Sequence, residues 1–316
     1  MNVLFVILMY ATWSSVFSLG KMTLAFAPPV FLTGFRMTIA GVILSLFYLF
    51  FKRSSFKFEK KHWISLGGLA FLSIYLTNIL EFWGLQHLSA AKTCFIYSLS
   101  PFFAALFSYF HFGEKMNGRK WVGLGVGFLG MIPVLLSQTG TEELFKINNF
   151  LSLPSLAIMG AALFSVYGWV LLRVVVKDSF VPPALANGLS MLLGGLFAFI
   201  HSFFVDSWAP TPILAGHVGD FMKGTLLMTL ISNILCYNLY GFFLKKYTAT
   251  FLSFTGLLSP IFASITGWLI LGEPPSWTIF LSTAVVSVGL FIVYQAELKQ
   301  GYILHEQKSK GAVVLE

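Results

Sequence analysis

Ten apolar runs of about 20 residues follow one another along this chain, and no other property limits its fold so severely. A run of that length, coiled at about 1.5 Å per residue, crosses a hydrocarbon core roughly 30 Å thick. The runs are 2–20, 30–51, 63–83, 91–112, 121–137, 151–176, 183–205, 219–243, 249–271 and 275–295. Only 10% of the 316 residues are charged, whereas soluble domains carry about 25%. The expected solvent is therefore lipid, and the expected fold class is an all-α integral membrane protein of ten transmembrane helices. Its breaks are too short to hold a soluble domain. The first run has small residues after it, as a cleaved signal would, but no Lys or Arg precedes it, so it is read as a span.

The second half of the chain repeats the first. Leu99-Ser100-Pro101-Phe102-Phe103-Ala104 returns as Leu258-Ser259-Pro260-Ile261-Phe262-Ala263, Gly113-Glu114 as Gly272-Glu273, and Gly130 as Gly289, all at an offset of 159 residues. Such a duplication in a membrane chain marks a carrier built from two repeats with its substrate site between them. The expected units are a first five-helix repeat at 1–137, a linker at 138–150, a second five-helix repeat at 151–298 and a cytoplasmic tail at 299–316.

The formal charge of +8 resides mainly in loops. Placing the N-terminus in the cytoplasm puts fifteen of the 20 Lys and Arg residues inside, in keeping with the positive-inside rule. This charge therefore indicates orientation and not nucleic-acid binding. With five spans per repeat, the two copies must face opposite ways. Their loops differ accordingly: 113–120 carries Lys115, Arg119 and Lys120, whereas the equivalent 272–277 carries no basic residue. Two inverted repeats, with both termini cytoplasmic, account for the contrast.

These residues resemble the drug/metabolite transporter superfamily, in particular its ten-span carriers with two tandem EamA-type domains. The resemblance covers about residues 5–295. It rests on Pro28-Pro29 with Phe35-Arg36, Leu88-Ser89-Ala90-Ala91, Leu99-Ser100-Pro101, and Gly113-Glu114 with Gly123 and Gly130. The second half repeats Pro182-Pro183, Leu258-Ser259-Pro260, Gly272-Glu273 and Gly289, but holds Ser190 where Arg36 stands in the first. The resemblance implies a secondary carrier working by alternating access, without an ATP-driven motor. It leaves the solute open among amino acids, sugars, nucleotide-related metabolites and drugs.

Arg36 is the most informative single residue, because arginine within a span is costly and normally faces the bundle interior or a water-filled cavity. Glu81, read as the only acidic residue inside the spans, and Lys92 fall in the same extracytoplasmic half. One reading is a zwitterion site, with Arg36 forking onto a carboxylate and Glu81 taking an ammonium or other cation. The alternative is a structural or gating ion pair, Arg36 to Glu81 or Glu81 to Lys92. Trp13, Tyr97, Tyr167 and Trp169 could offer aromatic faces, and Asn78, Asn233, Tyr237, Asn238 and Tyr240 hydrogen bonds; helix packing is the competing explanation for each.

Pro101 and Pro260 should kink the fourth and ninth spans as hinges or as static shaping. Gly123, Gly127 and Gly130 predict a close helix contact, within the chain or in a homodimer. Glu114 and Glu273 are read as turn and cap features, and Cys94 and Cys236 as packing residues. The histidines are scattered without ligand spacing, so no metal and no cofactor is expected. Gly188-Leu189-Ser190 with His201 is too common a pattern to support an enzyme.

The expected function is transport of a small organic metabolite, favouring an amino acid or an amino-acid-derived zwitterion such as an S-adenosylmethionine-like solute. Export of cationic or hydrophobic drugs is the runner-up, and an intramembrane enzyme comes third. A bacterial inner membrane location, a monomer or weak homodimer, and no nucleic-acid partner complete the expectations. Proton coupling would have to run through Glu81; exchange and facilitated movement are equally compatible with the sequence.

Overall fold

A computed structural model describes residues 3–52, 60–88, 93, 96–97, 99–138, 152–176, 181–271 and 278–301. Lys92, Cys94 and Glu273 lie outside the described residues, as does nearly all of the predicted linker. The helices are α1 (Val3–Thr23), α2 (Pro29–Phe51), α3 (Lys60–Gly68, Leu69–Leu76 and Thr77–His87), α4 (Ser100–Phe112) and α5 (Gly118–Gln138), then α6 (Leu153–Val176), α7 (Pro183–Val205), α8 (Val218–Met228, Thr229–Cys236 and Tyr237–Phe243), α9 (Ala249–Thr255, Gly256–Leu258 and Ser259–Leu271) and α10 (Thr278–Lys299). Each of the ten apolar runs holds helix, and no strand occurs among the described residues. Among the described residues, seven helices are long and apolar enough to cross a membrane: α1, α2, α3, α6, α7, α8 and α10.

Local sequence explains the boundaries. Proline opens α2 and α7 at Pro29 and Pro183, each after another proline in extended conformation; a missing N–H costs nothing in the first helical turn. Gly113 ends α4 in the left-handed region at φ 65°, which glycine enters without steric penalty. Thr248 opens α9 by accepting a hydrogen bond from the Phe251 amide at 2.9 Å.

Both prolines singled out in the repeat begin a helical piece and do not interrupt one. Pro101 lies in the first turn of α4. Pro260 follows a single 3-10 turn, Gly256–Leu258, that breaks α9 in two. The α-helical pattern of the ninth span is therefore interrupted by the tighter turn preceding the proline.

A second irregularity has no signature in the sequence. Leu69–Leu76 in α3 and Thr229–Cys236 in α8 are π-helical, a rare geometry often found at functional sites. Each is followed by an asparagine that turns back on it. Asn78 Nδ2 donates to the carbonyls of Ser73 (3.2 Å) and Ile74 (2.8 Å), and Asn238 Nδ2 donates to those of Asn233 (3.4 Å) and Ile234 (2.7 Å). The duplication thus extends from sequence into backbone detail.

The halves interleave. α1 packs on α8 and α9, and α6 packs correspondingly on α3 and α4. Extensive contacts also join α2 to α7 and α5 to α10, counterpart to counterpart. Lipid gives no hydrophobic drive for helices to meet, so close approach through small residues matters. A methyl group on Gly195 would lie 2.6 Å from the Thr38 backbone nitrogen, and one on Gly289 only 2.7 Å from the Gly123 carbonyl. Gly123 and Gly127 accordingly seat α10 within the same chain. Large apolar side chains such as Ile64, Phe51 and Phe204 point outward and stay exposed.

Candidate functional site

Between the halves lies a cavity of about 1000 Å³, counting its open mouth, walled by α1, α2, α3, α6, α8 and α9 and by the Tyr97–Pro101 stretch. Its polar wall comes from the first half. Arg36, 2% exposed, donates from Nη2 to Asn78 Oδ1 at 2.6 Å and stacks over the Phe82 ring at 4.9 Å. The Asn78 amide group, held by the π turn of α3, can present only its oxygen to the arginine. Glu81, one turn further along α3, accepts a hydrogen bond from the Tyr97 hydroxyl at 2.7 Å.

Arg36 and Glu81 do not bond to each other. Among the described residues both are held by neutral partners, and Arg36 Nε has no hydrogen-bond partner. A buried arginine bonded to one amide oxygen keeps most of its five donors unused. The couple therefore places a positive and a negative group in the lining of one cavity.

Aromatic residues line the cavity beside this couple, and the Tyr237 hydroxyl is hydrogen-bonded to Asn78. Trp13 of α1 meets Trp169 of α6 edge-on with centroids 5.9 Å apart, and Tyr237 and Tyr240 of α8 pack against Trp169 at 4.9 and 4.3 Å. All four line the cavity. Aromatic faces attract cations, including quaternary ligand groups, most strongly where water is excluded.

Trp13, Arg36, Asn78, Glu81, Tyr97, Pro101, Trp169, Tyr237 and Tyr240 are thus brought together. Tyr167 points elsewhere, packing on Phe107 and His111 with centroids 5.0 and 5.5 Å away. Asn233 is fully buried with its Nδ2 2.9 Å from Met37 Sδ, and Asn238 accepts a bond from Asn187 at 3.0 Å; neither reaches the cavity, and Pro260 is represented there by its neighbour Ser259. Sequence reading overlooks Tyr10, Ser165 and Ser253 in the lining. Helical spacing could have found the first two, since Tyr10 lies three residues before Trp13 and Ser165 four before Trp169.

Two buried ion pairs escape the sequence as well. Glu114 is no mere turn residue: it is 5% exposed and bonded to Arg173 Nη1 at 2.5 Å. Nor is Glu81 the only acid carried by the apolar helices. α8 holds the exposed Asp220 in its first turn. α10 runs on to Lys299 and so includes Glu297, which is buried and lies 2.8 Å from Lys120 Nζ. Glu114 and Glu297 sit at the ends of apolar runs, where sequence does not separate a buried end from a loop.

The residues and the repeats find their counterpart in known proteins. Residues 1–136 and 153–295 match the model of the EamA-like transporter family. The chain belongs to that family. A protein of Chlamydia muridarum (strain MoPn / Nigg) named S-adenosylmethionine/S-adenosylhomocysteine transporter is 37% identical over 299 residues, which is 93% of this chain and 92% of that one. A protein of the same name from Chlamydia trachomatis serovar L2 is 37% identical over 296 residues, or 92% and 88% of the two chains. The uncharacterized transporter YoaV of Bacillus subtilis is 25% identical over 288 residues, 89% of this chain and 92% of that one. One solved crystal structure shares the fold, with TM-score 0.74 over 94% of this chain and 97% of that one, at 16% identity. This EamA-family chain is a transporter for a small metabolite.

Proposed function

We propose that this transporter carries S-adenosylmethionine and S-adenosylhomocysteine, as a secondary carrier working by alternating access. The observation that carries this reading is the cavity in which Arg36 and Glu81 are each bonded to a neutral partner and share the lining with aromatic side chains. Both solutes bear a carboxylate and an ammonium, and S-adenosylmethionine adds a sulfonium. Arg36 takes the carboxylate in a bidentate fork, Glu81 takes the ammonium, and Trp13, Trp169 and Tyr237 face the sulfonium or stack on the adenine. The names of the chlamydial relatives support the same choice of solute. No covalent chemistry is required of any residue. The protein resides in a bacterial inner membrane with both termini cytoplasmic.

The test is uptake and counterflow in proteoliposomes with labelled S-adenosylmethionine, S-adenosylhomocysteine, common amino acids and cationic dyes, with and without a pH gradient. Saturable counterflow of the two adenosyl solutes is expected. Transport of dyes alone, undiminished in Arg36→Gln, would replace the reading with drug export.

A further inference from the structure

A second arginine–glutamate couple lies at the opposite side of the cavity from Arg36 and Glu81, and its state is reversed. Arg173 stands one turn beyond the cavity residue Trp169 on α6 and is bonded to Glu114, just past the end of α4. Its guanidinium stacks over Phe112 at 4.3 Å, much as Arg36 stacks over Phe82 at 4.9 Å. The Tyr240 hydroxyl at the cavity's edge is close enough to Arg173 to feel its charge.

Around this couple five helix ends converge. Lys120 at the start of α5 meets Glu297 near the end of α10, and the Thr248 hydroxyl that caps α9 donates to Glu297 at 2.6 Å. Glu297 in turn lies within reach of the Glu114 charge. The first piece of α9, Ala249–Thr255, is buried along its whole length. α4, α6 and α9 pack on one another at this end, and these are the elements the couple and its neighbours hold together.

The couple is held incompletely. Among the described residues, Glu114 Oε2 and Arg173 Nε have no hydrogen-bond partner although both are buried. A buried charge pair with unused valences is costly to keep and vulnerable to a ligand that satisfies it better. A carboxylate and an ammonium on one molecule offer both partners a replacement at once.

We infer that the Arg173–Glu114 pair is a gate at the basic end of the cavity that a zwitterion opens by competing for both of its members. Closed, it bars the path through α4, α6 and α9; parted, it is a second docking point for the charged groups that Arg36 and Glu81 hold on the other side. The break in α9 at Gly256–Leu258 supplies the joint on which the buried first piece moves. The ligand half of this inference rests on the zwitterionic solute proposed above; the gate half does not.

The test places a reporter cysteine at the cavity residue Ser253, with Cys94 and Cys236 replaced by alanine, in oriented vesicles. A membrane-impermeant thiol reagent is applied from the basic side. In the otherwise unaltered chain, labelling should rise on adding S-adenosylmethionine and not on adding uncharged adenosine. Glu114→Gln should raise labelling without any solute by about fivefold or more, the lower range of two-state couplings, and the exchange Glu114→Arg with Arg173→Glu should return it to the starting level.

Unchanged labelling in folded Glu114→Gln would overturn the gate. Equal labelling with adenosine and S-adenosylmethionine would overturn the competition. Should Glu114→Gln fail to fold, the solute comparison in the unaltered gate still decides. If S-adenosylmethionine neither binds nor counterflows, the solute reading fails while the Glu114→Gln arm continues to test the gate.

Discussion

The two arginine–glutamate couples are built from the same parts and differ in whether those parts touch. Arg36 and Glu81 share a cavity without touching, each held by a neutral side chain. Arg173 and Glu114 are in contact, and neither lines that cavity. Each arginine rests on a phenylalanine ring and, among the described residues, each leaves its Nε unpartnered. The same chemical parts are therefore apart in one couple and joined in the other. Under the alternating access proposed above, exchanging the two states would join the first couple and part the second.

Substitutions in the two couples should accordingly have different consequences, and the largest belongs to the closed couple. Arg173→Ala leaves Glu114 buried and unpaired, a loss of about 3–5 kcal/mol, to be read as a lowered midpoint of thermal unfolding in detergent. If Arg173→Ala unfolds like the parent, the pair is not the buried contact described. Arg36→Gln should leave the unfolding midpoint near that of the parent while weakening solute affinity by about 10- to 100-fold, the value of a charged hydrogen bond, in equilibrium binding. A collapse of folding instead would make Arg36 structural and erase the contrast between couples. Trp169→Leu should reduce binding of the sulfonium more than of S-adenosylhomocysteine, by a factor corresponding to about 0.5–2 kcal/mol. Tyr97→Phe, which removes the neutral partner of Glu81, should change affinity least, by about 0.5 kcal/mol, measured by the same titration.

How far the sequence exposes this contrast depends on where each charge falls. Arg36 and Glu81 stand within apolar runs, where a charge is conspicuous because lipid cannot solvate it. Glu114 follows a glycine in a basic loop and Glu297 follows the tenth apolar run, so both look solvated until the helix ends that bury them are seen together. The ten runs and their duplication were legible because the length of a membrane span and the offset of a repeat are properties of a single line of residues. The π turns were not. Leu69–Leu76 and Thr229–Cys236 have ordinary apolar composition, and only the asparagines that follow them hint at a role. Tyr167 and Trp169 show the limit of counting aromatics: two residues apart on one helix, they face different neighbours, and only Trp169 reaches the cavity.

The claim that Arg36 and Glu81 form an open zwitterion site is tested most directly by titrating purified protein with S-adenosylmethionine and comparing the parent with Arg36→Gln and Glu81→Gln. Saturable binding by the parent, weakened in both folded variants, is the expected result. Equal affinity in the parent and both variants, or no binding by the parent, would contradict it.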